Sequence, residues 1–386
     1  MKVIILVGGK FHAFHLAKGL FNKGYLEVMF TSYPKFKIKE KIPSHMIQTI
    51  AIKEILKKII DLFAPKKFYA KLNFYNDQLF DILASKQINN YTCDILVGWS
   101  GFSLNSFKNL ADKKTIKIIE RGSCHIKFQH DILKKEYQRL GLKPLLPSEE
   151  ILSKEIKEYK EADYICVPSK FAKRSFIKKG FKNSKIKVLR LGVDLKKFYP
   201  KKIARKKKQF TIVSSGEVSV RKGSHILIEA FNNLKIQNAK LIFVGNIEKG
   251  LSNFLNKRKN SNIHFLGKKN EKQLNTIYNM SDIFVLNSLE DGFGMVVPQA
   301  MACGLPVITT FNTGASEIIE NNKNGFVIKA GDCKSLENKI KKLYFNVTLR
   351  NKMSRNSLKK INKNFNWSSY SNSAINLYQK ILKSSR

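Results

Sequence analysis

Acidic residues are scarce in this chain of 386 residues: 29 Asp and Glu stand against 71 Lys and Arg, a formal net charge of +42. A field of that sign attracts polyanions such as nucleic acid, anionic lipid head groups or phosphorylated glycans. The basic residues run the whole length, so lysine used simply as a solvated residue explains the charge as well, and charge alone selects no partner. Cysteine is sparse. Cys93, Cys124, Cys166, Cys303 and Cys333 are odd in number, widely spaced and never in a Cys-x-x-Cys pair. That pattern argues against a disulfide framework or a zinc site and fits a reducing cytoplasm. Long apolar runs are also missing. The opening run, residues 3–7, breaks at Gly8-Gly9, short of the roughly seven apolar residues of a secretory core. No stretch approaches the roughly 18 apolar residues of a membrane span. The expectation is a cytoplasmic protein, at most peripheral on the inner face of the cytoplasmic membrane. Asp-x-Asp does not occur, and no His, Asp or Glu cluster has metal-ligand spacing, so neither a metal nor another resident cofactor is expected. No Ser–His–Asp arrangement stands out.

What is present is globular: 43% apolar and 26% charged residues, in a chain too long for one comfortable core and suited to two. Short β-rich runs recur at 3–7, 26–30, 94–97, 116–120, 164–167 and 186–191, with helical stretches such as 131–140 and 148–161 between them. After Gly192-Val193-Asp194 the pattern pauses in a basic run, residues 201–208, that reads as a linker. It restarts with strands at 210–214, 241–244, 263–266, 283–286, 306–310 and 325–328. Continuous apolar strands alternating with amphipathic helices predict parallel, doubly wound sheets. The chain therefore reads as α/β, with two facing Rossmann-like domains and a cleft between them. A last helix, about 368–382, carries Ala374, Ile375, Tyr378, Ile381 and Leu382 on one face.

The chemistry-bearing stretch is Glu290-Asp291-Gly292-Phe293-Gly294-Met295-Val296, with Gln299 eight positions beyond Asp291. It follows a strand and opens a helix, where glycines let backbone approach a ligand and free N–H groups face phosphate. Taken alone, it could equally be a packing turn. A second stretch, Glu217-Val218-Ser219-Val220-Arg221-Lys222-Gly223, places two cations at a loop–helix junction, where fixed positive charge would stabilise an anionic group.

Together with Ala300-Met301-Ala302-Cys303-Gly304-Leu305-Pro306-Val307, these stretches resemble the signature of the group 1 (family 4) retaining glycosyltransferases of GT-B fold. The usual form is Glu-Gly-Phe-Gly, four residues, then Glu-Ala-Met-Ala-x-Gly-x-Pro-Val, so Asp291 and Gln299 replace the two glutamates. The resemblance implies that Asp291, or neighbouring Glu290, grips the donor sugar, that Gln299 holds the ribose, and that the 292–296 turn adds backbone donors. It places Lys222 on the donor diphosphate. The family's arginine is Glu217 here, and Arg221 is a substitute. Gly8 and Gly9 match the family's glycine loop near the donor phosphates. His125, in Glu120-Arg121-Gly122-Ser123-Cys124-His125, resembles a subgroup motif with a histidine at the cleft, there to bond a donor-sugar hydroxyl or position the acceptor. His12 and His15 follow the glycine loop, with His15 expected to face the core.

The resemblance implies a metal-independent transfer of a sugar from a nucleotide-diphosphate donor to a glycan or lipid-linked acceptor, in cell-envelope or polysaccharide biosynthesis. Residues 1–195 would form the acceptor-side domain and 196–366 the nucleotide-sugar domain, with 367–386 a helix packing back on the first. A sugar-nucleotide epimerase or a glycan phosphorylase shares the fold. A basic nucleic-acid-binding protein would explain the charge, but no such motif occurs and no nucleic-acid partner is expected. Residues 51–63 have apolar positions at helical spacing, followed by Lys66, Lys67 and aromatic residues. Two readings stay open for them: a helix facing the sheet, or a basic amphipathic patch on an anionic membrane.

Overall fold

Runs of β-branched and aromatic residues bounded by glycine turns set the strands, and in the computed structural model they gather into two parallel sheets. The model describes residues 1–65, 67–202, 209–361 and 365–385. The first sheet contains β1 (Val3–Val7), β2 (Leu26–Thr31), β3 (Ile47–Thr49), β4 (Ile95–Trp99), β5 (Ile116–Glu120), β6 (Tyr164–Val167) and β7 (Ile186–Val188), in the order β3-β2-β1-β4-β5-β6-β7. The second contains β8 (Phe210–Ser215), β9 (Ala239–Val244), β10 (Ile263–Phe265), β11 (Ile283–Leu286), β12 (Val307–Thr310) and β13 (Gly325–Ile328), in the order β10-β9-β8-β11-β12-β13. Helices cover both faces of such sheets, so β1, β4 and β11 are buried along their whole lengths. The fold is α/β, with two facing Rossmann-like units of GT-B type. β3 was not legible in the sequence: it has three residues with only Ile47 buried, too short to show a period.

The chain reverses its direction of sheet growth between β1 and β4, and again between β8 and β11. Crevices open beyond the carboxyl ends of strands at such points. Gly8-Gly9 follow β1, Gly216 follows β8, and the 287–294 loop follows β11. Both switch points therefore present their loops to the gap between the sheets.

Of the helices, α1 (Ala13–Asn22), α2 (Ile52–Phe63) and α3 (Tyr69–Ile88) belong to the first unit. The site helix, Val296–Ala302, belongs to the second. The closing helix, Trp367–Ser385, comes after the second sheet in sequence yet buries Tyr370, Ala374, Ile375, Tyr378 and Ile381 in the first unit's apolar cluster, with Ala13, Leu16, Ala17 and Leu20 of α1. The two helices cross at Gly19, where a Cβ would run into Ser371. His15 stacks on Trp367 with ring centroids 4.0 Å apart, so it faces the closing helix.

The reading of α2 as a helix facing the sheet is overturned. Its one buried residue is Lys53, and Ile52, Ile55, Ile59, Leu62 and Phe63 are exposed. Lys66, and most of the 201–208 run, lie outside the described residues.

Candidate active site

The site loop is shaped by two glycines with positive φ. Gly223 (φ 65°) ends the 216–223 loop directly against Asn287, where a Cβ would strike the Asn287 carbonyl. Gly294 (φ 79°) turns the chain into the site helix. The backbone N–H of Leu289 donates to the Arg221 carbonyl at 2.9 Å, which knits the two loops into one surface.

On that surface four sequence-predicted residues meet. The Lys222 ammonium pairs with the Asp291 carboxylate. Arg221 reaches Glu290 Oε2 at 3.3 Å. Burial works to raise the Asp291 carboxyl, but Lys222 and Arg221 beside it hold it below the ordinary carboxylate range. For Lys222 burial wins and lowers the ammonium, with Asp291 opposing. Arg221 is half-buried, and against the opposing effect of burial Asp291 and Glu290 hold it above its usual range. Charges this buried are tolerable only as pairs, since leaving one partner alone costs roughly 3–5 kcal/mol. An incoming anion can replace Asp291 beside Lys222 without leaving the cation bare. Glu217, at the place of the family's arginine, is exposed.

Glu290 is fully buried and joins the two halves: its Oε1 accepts from Ser123 Oγ at 3.0 Å and from the Cys124 N–H at 3.4 Å. Ser169 Oγ donates to the Gly292 carbonyl at 2.7 Å while accepting from the Ala172 N–H. Glu317 accepts from the Lys170 and Phe171 N–H groups at 2.5 and 3.2 Å. Gly292 lies against Ser123 so closely that a Cβ would meet backbone. Ser123, Ser169 and the role of Glu317 escaped sequence reasoning, because their partners lie far away in the chain. Asn287 and Ser288 were also missed: both are buried, and their side-chain polar atoms have no hydrogen-bond partner among the described residues.

Other predicted residues divide. Gln299 is half-buried on the site helix, and its side chain makes no hydrogen bond to a described residue. Met295 and Val296 are half-buried at the helix start. The Phe293 ring is buried in the first unit's apolar cluster, and its backbone N–H, expected as a donor to the ligand, faces Asp291 Oδ1 at 3.3 Å. Gly8 fits under the Phe102 ring, which a Cβ would strike, and Gly9 beside it is half-buried.

His125 is also corrected. Its ring is buried between Tyr159, Phe176 and Phe181 at centroid distances of 5.3, 5.0 and 5.5 Å. Its Nδ1 accepts from the Lys127 N–H, capping the helix Ile126–Arg139. Burial, with Arg121 and Lys179 nearby, lowers it to about 4, so it is neutral at pH 7. The histidine beside the 120–122 loop is His12. Its Nε2 lies 3.5 Å from buried Glu120, and its ring packs near Trp99 and Tyr370.

Comparison with known proteins bears on the family and the fold. Residues 196–360 match the protein family described as glycosyl transferases group 1. The capsular polysaccharide biosynthesis glycosyltransferase CapM of Staphylococcus aureus is 31% identical over 182 residues, 46% of this chain and 47% of CapM. The chain thus spans about half the length of the first curated relatives it matches. The sucrose-phosphate synthase of Thermosynechococcus elongatus superposes over 100% of both chains with a TM-score of 0.73 at 17% identity. Anabaena Alr3699/HepE, solved with UDP-glucose, superposes over 98% of this chain and 100% of its own, with a TM-score of 0.68 at 17% identity. At such identities the superpositions speak for the fold.

Proposed function

We propose, from the match of residues 196–360 to the group 1 glycosyltransferases, that this chain is a retaining, metal-independent enzyme of polysaccharide or cell-envelope synthesis. It moves a sugar from a nucleotide diphosphate to a glycan or lipid-linked acceptor. The observation that carries the reading is the Lys222–Asp291 pair beside Arg221 and Glu290, set where the two switch points face each other. The diphosphate takes the place of Asp291 beside Lys222, and the released carboxylate turns to the sugar hydroxyls. Lys222 and Arg221 stabilise the negative charge that grows on the leaving phosphate as the glycosidic C–O bond breaks. The acceptor oxygen bonds the anomeric carbon from the same face and passes its proton to the leaving phosphate oxygen. Gln299, with its amide unengaged by described residues, holds the ribose. The polysaccharide assignment is supported by the likeness to CapM, and the nucleotide-sugar donor by the likeness to a protein solved with UDP-glucose.

A screen of nucleotide sugars by thermal shift identifies the donor, since a ligand at 100 times its Kd stabilises by about 2.7 kcal/mol. With that donor, transfer is expected to persist in excess EDTA and to give a product of unchanged anomeric configuration by NMR. Loss of transfer in EDTA with recovery in manganese would sink the metal-independent reading. An inverted anomer would sink retention.

A further inference from the structure

Helix α2 is turned the wrong way for a helix that serves only its own fold. Its apolar positions Ile52, Ile55, Ile59 and Leu62 fall on one stripe, with Phe63 at its end, and that stripe faces outward, Leu62 and Phe63 being 76% and 77% exposed. The side that meets the protein carries buried Lys53, with Glu54, Leu56, Lys57 and Ile60 half-buried beside it. Lys53 Nζ sits 3.1 Å from Asp77 and over the Phe102 ring, while its carbonyl accepts from Asn76 Nδ2 at 2.8 Å. Rotating α2 to bury the stripe would pull Lys53 out of these contacts. The acids of this region are engaged on that inner side or by neighbours: Glu54 accepts from Ser32 Oγ at 2.6 Å, and Asp61 from Tyr69 and Lys57. Exposed Lys58, Lys67 and Lys71 are left around the stripe, and Phe68, Leu72 and Tyr75 of the following turn and α3 extend it. A contiguous apolar stripe rimmed by lysines, with exposed Asp61 paired to Lys57 and Tyr69 and Glu54 held by Ser32, complements a surface that is apolar within and anionic at its boundary.

We propose that the α2–α3 face seats on an anionic lipid bilayer, the stripe entering the head-group boundary and the flanking lysines meeting lipid phosphates. The face adjoins the gap between the two units, because Phe102, which covers Gly8, also carries Lys53 of α2 on its ring. The seat lies wholly in the first unit and requires nothing of the donor assignment.

The test uses the whole chain. Its co-sedimentation with vesicles of phosphatidylglycerol and phosphatidylcholine is compared with phosphatidylcholine alone, at low and high salt. Binding to the anionic vesicles that weakens with salt is expected, with little on neutral ones. L62E/F63E is expected to lower the affinity roughly tenfold or more. K58Q/K67Q/K71Q is expected to lose most low-salt binding. Circular dichroism and the donor-induced thermal shift should be unchanged in both variants, which keeps failure of the seat distinct from failure of the donor reading. The proposal is overturned if the anionic vesicles are not bound, or if L62E/F63E binds like the parent. It is overturned too if light scattering finds a dimer that L62E/F63E dissociates while vesicles go unbound, since a second copy would then be the occupant.

Discussion

Lys222 brings a positive charge into a buried place, and its value to the reaction depends on what balances that charge at each stage. With Asp291 as partner the site is neutralised before donor arrives, so the cation adds little to ground-state binding that it does not also lose. In the proposed reaction its advantage comes as the leaving phosphate gains charge. Lys222→Ala is therefore expected to lower kcat more than it raises donor KM, with a total loss on the order of 10²-fold, about 3 kcal/mol. Lys222→Arg should recover only part, because a planar fork does not occupy a point-charge site identically. Steady-state kinetics on the folded variants decides the matter: near-normal kcat/KM in Lys222→Ala would place the diphosphate elsewhere. Arg221 differs from Lys222 in its partner. It also holds Glu290, whose other oxygen bonds Ser123 and Cys124. The loop positions of Lys222 and Asp291 were legible because turn and strand signals are local. His125 was misread for a related reason. Its strand-end position is real, but the rotamer that points the ring into Tyr159, Phe176 and Phe181 is set by helices from other parts of the chain.

At the scale of elements, the site is a set of loop ends held by close backbone approaches. The 290–294 turn carries Asp291 and touches the first unit at Gly292, with no room for a Cβ between it and Ser123. Gly292→Ala forces backbone to move, and the turn is the part free to do so. A displacement near 1 Å at a reacting site costs about 10²-fold in rate. We expect a loss of roughly 10- to 100-fold in kcat/KM. The melting temperature should move little, because the cores of both units are untouched. Retention of activity within about a factor of two would mean that the contact with Ser123 does not position the turn. Strand elements were read well from sequence because buried parallel strands are continuous apolar runs. Helix α2 was not, because its periodicity gives the width of the apolar stripe and says nothing of which way the stripe faces.

The whole molecule is tied together by its last helix. The closing helix follows the second sheet but packs on α1 of the first, so the two units share a cluster as well as a cleft. Gly19, where α1 meets Ser371, is the closest point of that crossing. Gly19→Leu should drive a wedge there without touching any site residue. Overpacking of this kind costs about 1–3 kcal/mol, and each kcal/mol lowers Tm by roughly 2–4 °C in a unit of this size. Scanning calorimetry and kcat/KM measured together would show both falling. An unchanged Tm would mean that the closing helix is not held through this crossing.

Sequence alone determined the two βα series, the glycine turns at their switch points, and the presence of cations at 221–222 and acids at 290–291, whose pairing across 69 positions the tertiary structure supplied. Each is written in residues a few positions apart, where period, turn chemistry and charge act directly. Only the tertiary structure decided that Glu290 bonds Ser123, 167 positions away. The same holds for the burial of Phe293 in the opposite unit and the return of the closing helix to α1. It also turned Lys53 inward and the apolar stripe of α2 outward. These are choices of facing and of long-range partner. Local periodicity is nearly blind to both, and the burial of Lys53 against Asp77, Asn76 and Phe102 settles the facing of α2 only once α3 and the 100–103 loop are in place.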